Sequence, residues 1–142
     1  MSSTPFVIER TYNAPVARVW KAIADKQALK EWYFDLSDFK AEVGFEFTFP
    51  GQDKGKTFMH HCRVLEVIPE KKLSYTWAYA EYEGSSVVTF ELFEEGDKTR
   101  IRLTHTGLET FPQQPSFSRE SFTMGWTEII GNMLKKYVEQ AA

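Results

Sequence analysis

Residues 121–138 read Ser121-Phe122-Thr123-Met124-Gly125-Trp126-Thr127-Glu128-Ile129-Ile130-Gly131-Asn132-Met133-Leu134-Lys135-Lys136-Tyr137-Val138. Phe122, Trp126, Ile129, Ile130, Met133 and Tyr137 recur at three- and four-residue steps, the spacing that gathers apolar side chains on one face of a helix. Ser116 follows a Pro-containing loop, Phe111 to Pro115, and its hydroxyl suits an N-cap, so the pattern predicts one long helix ending near Glu139. A face that wide needs a sheet to lie on.

The sheet is read upstream. Phe45, Phe47 and Phe49, then Leu73, Tyr75, Trp77 and Tyr79, then Ile101, Leu103 and His105 alternate with other residues, and each set forms one stripe because successive strand side chains point to opposite faces. Breakers at Gly51–Gly55, Pro69–Lys72, Tyr82–Ser85 and Glu94–Asp97 divide the span from Leu36 to Thr106 into what we read as six strands. Short turns between consecutive strands require antiparallel pairing. Ahead of them Phe6–Tyr12 is rich in β-branched and aromatic residues and reads as a further strand. Pro15 presets φ for the first turn of a helix carrying Val16, Val19, Trp20 and Ile23. Asp25 can cap a second one with Ala28, Leu29 and Trp32, after which the chain turns extended near Phe34. The expected product is an α+β domain: a meander of about seven antiparallel strands, two short helices between strands one and two, and a terminal helix as lid.

Composition bounds the function. With 142 residues, 42% hydrophobic and 26% charged, the chain has the balance of one domain, residues 1–142, able to bury a core without metal or disulfide. Cys62 is the single cysteine, and the start Met1–Pro5 lacks the pattern of a signal peptide, so a reducing cytoplasm is the expected compartment. No apolar run approaches the length of a membrane span. A net charge of −3 from 17 basic and 20 acidic residues argues against nucleic acid as a partner. The 12 Phe, 6 Tyr and 4 Trp exceed what a core of this size must have, which suggests that some line a hole.

Several motifs invite chemistry. Gly51-Gln52-Asp53-Lys54-Gly55-Lys56-Thr57 looks like a phosphate loop, yet it joins two strands and has one residue too few between its glycines, so it is read as a hairpin turn. His60, His61 and Cys62 are adjacent in a strand, where only His60 and Cys62 can share a face, and no zinc spacing results. No metal and no cofactor is expected. Glu66 has two readings: in an unbroken strand it joins Phe58, His60, Cys62 and Val64 on an apolar face, where desolvation would suit it to proton transfer. A β-bulge would instead leave it a solvated charge. Gly125 and Gly131 interrupt the terminal helix, which suggests close backbone approach, a bend, or room for a ligand beside Trp126. No nucleophile elbow, dinucleotide fingerprint or spaced carboxylate pair occurs, so catalysis has only Glu66 and His60 as weak candidates.

The stretch Arg10-Thr11-Tyr12-Asn13-Ala14-Pro15-Val16-Ala17-Arg18-Val19-Trp20-Lys21-Ala22-Ile23 resembles the opening of proteins similar to the C-terminal domain of the activator of the 90-kDa heat-shock protein's ATPase. Trp32-Tyr33, Val43-Gly44, Val64-Leu65-Glu66-Val67-Ile68-Pro69, Leu73-Ser74-Tyr75-Thr76-Trp77, Val88-Thr89-Phe90 and Gly125-Trp126 follow in that family's order. This branch of the START-like (SRPBCC) superfamily implies a helix-grip fold, a curved antiparallel sheet wrapped around the long C-terminal helix with a cavity between them. Many relatives have a second glycine where this chain has Phe45, which would narrow the space there. The eukaryotic co-chaperones also carry a separate N-terminal domain for which 142 residues leave no room.

The leading expectation is a binding protein that holds a hydrophobic small molecule, aromatic, polyketide-like or lipid-like, between sheet and helix. The expected lining is Phe47, Phe49, Phe58, His60, Tyr75, Trp77, Phe90, His105, Trp126, Ile129 and Met133, with His60, Tyr75 and His105 as orienting polar groups. Behind it rank contact with a chaperone whose ATPase is stimulated, in a stress response, and an enzyme of the cyclase or dehydratase kind using the same cavity.

Overall fold

Strand β1 (Phe6–Tyr12) buries Phe6, Ile8 and Tyr12. Pro15 then stands at the N-cap of α1 (Val16–Ala24) with φ −71° and ψ 156°, one place ahead of the first helical turn, where its missing N–H removes a donor that would lack a partner anyway. The helix buries Val16, Val19, Ala22 and Ile23. Asp25 ends α1 with an extended backbone and starts α2 (Lys26–Trp32), its carboxylate accepting from the Ala28 N–H at 3.1 Å. The computed structural model describes residues 5–33, 38–53, 56–80, 82–112 and 117–140, with the backbone alone at 52, 53 and 56.

Strands β2 (Glu46–Asp53), β3 (Lys56–Ile68), β4 (Lys72–Tyr79), β5 (Ser86–Glu95) and β6 (Lys98–Thr106) join β1 in one antiparallel sheet, ordered β1-β6-β5-β4-β3-β2. The sheet therefore has six strands, not about seven. Gly51 does not break the chain but lies inside β2 opposite Phe58, and the described residues ahead of β2, 38–45, form turns and coil rather than a strand. There the Phe45 N–H donates to the Glu42 carbonyl at 3.0 Å and Gly44 takes φ +92°, a tight turn that local propensity did not reveal. Phe45, first of its expected stripe, precedes β2, although its carbonyl still accepts from Val64. The extended stretch expected near Phe34 falls at 34–37, outside the described residues.

Because β1 and β2 are the two edges of the sheet, the chain between them must cross from one edge to the other, and α1 and α2 make that crossing. The C-terminal segment lies on the same inner face. Ser118 caps α3 (Arg119–Glu128), accepting from Ser121 N–H at 3.1 Å; the expected cap Ser116 lies outside the described residues. The helix is not uniform. After α3 comes one π-helical turn, Ile129–Met133, before α4 (Leu134–Glu139). Phe122, Trp126, Ile130, Leu134 and Val138 are buried at four-residue intervals, whereas Ile129, Met133 and Tyr137 of the expected stripe flank them half-buried.

The wider turn has a physical reason. An α-helix slips by about 40° with every four-residue step, so a strict four-residue stripe would wander off the sheet, and a π turn takes up part of that slip. Within it the Leu134 N–H donates to the Ile129 carbonyl, five residues back. The Ile130 carbonyl, which an α-turn would pair with that N–H, instead accepts a hydrogen bond from the fully buried Tyr12 hydroxyl of β1. The outer face of the sheet is solvent-side: Glu9 on β1 meets Arg100 and Arg102 on β6, and both guanidiniums lie over Phe93 at 4.3 and 5.2 Å.

Candidate functional site

Alternation on β2 to β6 sends an aromatic set to the inner face: Phe47 and Phe49, Phe58 and His60, Tyr75, Trp77 and Tyr79, Phe90, and His105 are all buried. They pack ring against ring. Phe49 stacks on His60 at 4.4 Å, Trp77 meets Phe49 edge-on at 5.6 Å and Trp126 at 5.5 Å, and Phe117 closes on Tyr79 at 4.7 Å. Near β6 these rings enclose a polar chain. The Trp126 indole N–H donates to His105 Nδ1 at 3.0 Å, so Nε2 carries the proton and donates to Ser86 Oγ at 2.7 Å. The Ser86 hydroxyl in turn donates to the Trp77 carbonyl at 2.8 Å. Burial lowers the His105 pKa to about 3, and its imidazole is neutral at pH 7 with both nitrogens engaged.

His60 is held by different means. Its Nδ1 donates to the Phe58 carbonyl at 3.0 Å, and burial lowers its pKa to about 4 against the opposing effect of backbone hydrogen bonds. The ring lies over Gly51, where a Cβ would stand 2.5 Å from Cε1. Cys62 is buried on the same face, and burial pushes its thiol pKa up. His61 is exposed on the other face, and no three metal-ligating side chains cluster among the described residues.

Glu66 is settled by strand register. β3 carries one extra residue between Val64, opposite Tyr75, and Glu66, opposite Ser74. That bulge turns Glu66 outward, its side chain 45% exposed and paired with Lys72 Nζ at 3.0 Å. The inward phase passes to Val67, half-buried against the core.

At the other end of the interior the packing stops short. A cavity of about 10 Å³, roughly the room of one water molecule, lies between the crossing helices and the sheet. Ile23 of α1, Leu29 and Trp32 of α2, Tyr33, Phe39, and Phe47, Tyr75 and Phe90 of the sheet line it. Of the lining expected from sequence, Phe47, Tyr75 and Phe90 meet here. Phe49, Phe58, His60, Trp77, His105 and Trp126 form the packed rings beyond, and Ile129 and Met133 lie half-buried along the helix. The helix-side wall was missed as a wall. Leu29 and Trp32 were legible as an apolar helical pair, but nothing in their spacing says which part of the sheet they face. The described lining side chains carry two polar atoms besides the indole N–H of Trp32, which donates to the Ala22 carbonyl at 2.8 Å. These are the hydroxyls of Tyr33 and Tyr75, 3.5 Å apart, both with pKa values raised chiefly by burial and so protonated.

An antiparallel sheet folded over a C-terminal helix, with two helices crossing between its edges above a small aromatic cavity, is the arrangement of the helix-grip class. Residues 13–139 match the family described as Activator of Hsp90 ATPase homolog 1-like protein, and the chain belongs to that family. No curated protein matches it. Among solved structures it is similar to protein CV1439 from Chromobacterium violaceum, with 21% identity and a TM-score of 0.83 over 96% of this chain and 98% of that one. It is likewise similar to protein MLL2253 from Mesorhizobium loti, with 29% identity and a TM-score of 0.77 over 98% and 99% of the two chains. DynU16, a protein of the dynemicin biosynthetic locus, shares 21% identity and a TM-score of 0.79, over 99% of this chain and 48% of its own. These neighbours are consistent with the START-like superfamily. No helix among the described residues is long and apolar enough to cross a membrane.

Proposed function

We propose that the chain, acting as a single START-like domain, is a binding protein for an apolar, largely aromatic small molecule, held between α1, α2 and the inner face of the sheet. The observation that carries this reading is the cavity itself: an interior otherwise filled with rings leaves a space at the helix-crossed end, walled by apolar side chains and furnished with two phenol hydroxyls. A guest larger than one water molecule would have to displace α2 and Tyr33. It would then extend along Phe47 toward Phe49, which stacks on it, then toward Trp77, which meets Phe49 edge-on, and toward the rest of the aromatic lining named from sequence. The likeness to a protein of a biosynthetic locus supports a small-molecule partner. The buried thiol of Cys62 accords with a reducing, cytoplasmic setting.

Native mass spectrometry of freshly purified protein, with the same sample denatured and its extract analysed, tests the proposal. A stoichiometric adduct that is released on denaturation is the expected result. A clean unliganded mass, together with no binding of naphthyl probes, would overturn it. A second reading rests on the family's description: contact with a chaperone of the 90-kDa class that speeds its ATP turnover, for which unchanged turnover at excess protein is the negative result.

A further inference from the structure

Tyr75 is 3% exposed, yet among the described residues its hydroxyl has only one hydrogen-bond neighbour, the Tyr33 hydroxyl at 3.5 Å. That separation is well beyond the 2.7–2.8 Å or so usual for O–H···O bonds. Elsewhere in this interior buried polar atoms are matched at short range: Trp126, His105, Ser86 and Trp77 form one chain, and the Trp77 indole N–H reaches the Tyr79 hydroxyl at 2.9 Å. A buried hydroxyl left with a stretched partner calls for a further group within its reach. The cavity adjoins both rings, and none of its described lining side chains carries a charge.

We propose that the Tyr75 hydroxyl, with Tyr33 beside it, is the polar recognition point of the cavity and donates to one neutral acceptor oxygen, a ketone- or quinone-type carbonyl, on an otherwise apolar flat guest. This rests on the binding reading above and adds to it the chemical class of the ligand. The neutral Tyr75 phenol presents one hydrogen, and a carbonyl oxygen has lone pairs to receive it. A carboxylate or phosphate would enter a low-dielectric space with no cation among its described lining residues, a cost that phenol hydrogen bonding does not offset. A saturated hydrocarbon would leave the Tyr75 hydroxyl no better matched than it is now.

The experiment compares 2-acetylnaphthalene with 2-ethylnaphthalene, nearly equal in shape and different in the carbonyl, by tryptophan-fluorescence titration. The ketone is expected to bind the unmodified protein about tenfold more tightly, the worth of a well-placed buried hydrogen bond. Tyr75→Phe keeps the ring and should bring the two affinities within about twofold, and Tyr33→Phe should reduce the preference in part. The bound ketone's carbonyl stretch should move to lower wavenumber in the unmodified protein and return in Tyr75→Phe, a change that altered packing alone would not produce. Equal affinity of both probes for the unmodified protein, or a preference that survives Tyr75→Phe, overturns this inference while leaving the binding reading intact. Failure of both probes to bind overturns this inference, the hydroxyl pair being then a water site, and together with a clean unliganded native mass it overturns the binding reading as well.

Discussion

At the β6 end of the interior, the indole of Trp126, both nitrogens of His105 and the hydroxyl of Ser86 are joined by bonds of 2.7 to 3.0 Å. At the α2 end, two tyrosine hydroxyls lie 3.5 Å apart beside unfilled space. Both ends use the same materials, large aromatics with a polar atom at the tip. The difference is in matching. Where each donor meets an acceptor and each ring a ring, the side chains fix one another and the region contributes stability. Where the match is left incomplete, the same side chains hold capacity for something from outside.

The largest effect is expected at the matched end. His105→Ala removes a fully buried ring and strands the Trp126 N–H, and the loss of stability should be about 3–5 kcal/mol in chemical denaturation. A loss below about 1 kcal/mol would mean that the network is incidental and the contrast between the two ends empty.

Acid should act on the same end. His105 and His60 have pKa values lowered by burial to about 3 and about 4. The unfolded chain binds a proton at each below its ordinary value near 6.5, and the folded chain does not until the pH falls to those lower values. Stability from these groups is thus whole above about pH 6.5 and declines as the pH falls toward 4, by up to about 1.4 kcal/mol per pH unit for each histidine. Glu9 and Glu139, lowered chiefly by the Arg102 hydrogen bond and by the Asn13 N–H, titrate below the ordinary carboxylate range and leave the upper part of that window to the histidines. Thermal midpoints measured from pH 7 to 4.5 should fall steadily, and His60→Phe should roughly halve the slope. A flat profile would show that the rings are hydrated.

How much of this was legible in the sequence depends on the period involved. Strand alternation has a period of two and depends only on the residue's own place, so Tyr75, Trp77 and Tyr79 are legible as one stripe, and Ile101, Leu103 and His105 as another, from spacing alone. The Asp25 cap was legible for the same local reason. The helix stripe was legible as a face, but its exact phase was not, because the π turn at Ile129–Met133 shifts burial onto Ile130, Leu134 and Val138. Its bond from Tyr12 comes from the far end of the chain. Glu66 needed the bulge, and the bulge needed the partner strand. Gly125 shows the limit most plainly: its cost in a helix suggests close backbone approach, a bend or room for a ligand beside Trp126, yet it is exposed, and a Cβ there would meet nothing within 4 Å. Gly125→Ala should therefore stabilise the helix by about 0.5–1 kcal/mol in denaturant melts and leave naphthyl binding unchanged. A drop in binding would return that glycine to the site.

The smallest effect on stability is expected from Tyr75→Phe, and its smallness is informative. Removing a hydroxyl from a well-made buried bond costs about 1 kcal/mol or more, because its partner is left without a match. Among the described residues the Tyr75 hydroxyl has only the stretched contact with Tyr33, so replacing it by hydrogen forfeits little and also removes a poorly satisfied polar atom from an apolar wall. The change should lie within about 0.5 kcal/mol of zero and can be favourable. Measured beside His105→Ala, it divides stability from recognition: one substitution unfolds readily, the other folds normally and loses its preference for a carbonyl. If Tyr75→Phe instead cost as much as an ordinary buried hydroxyl, its bond to Tyr33 would be a finished one, and the α2 end would belong to the core like the rest of the interior.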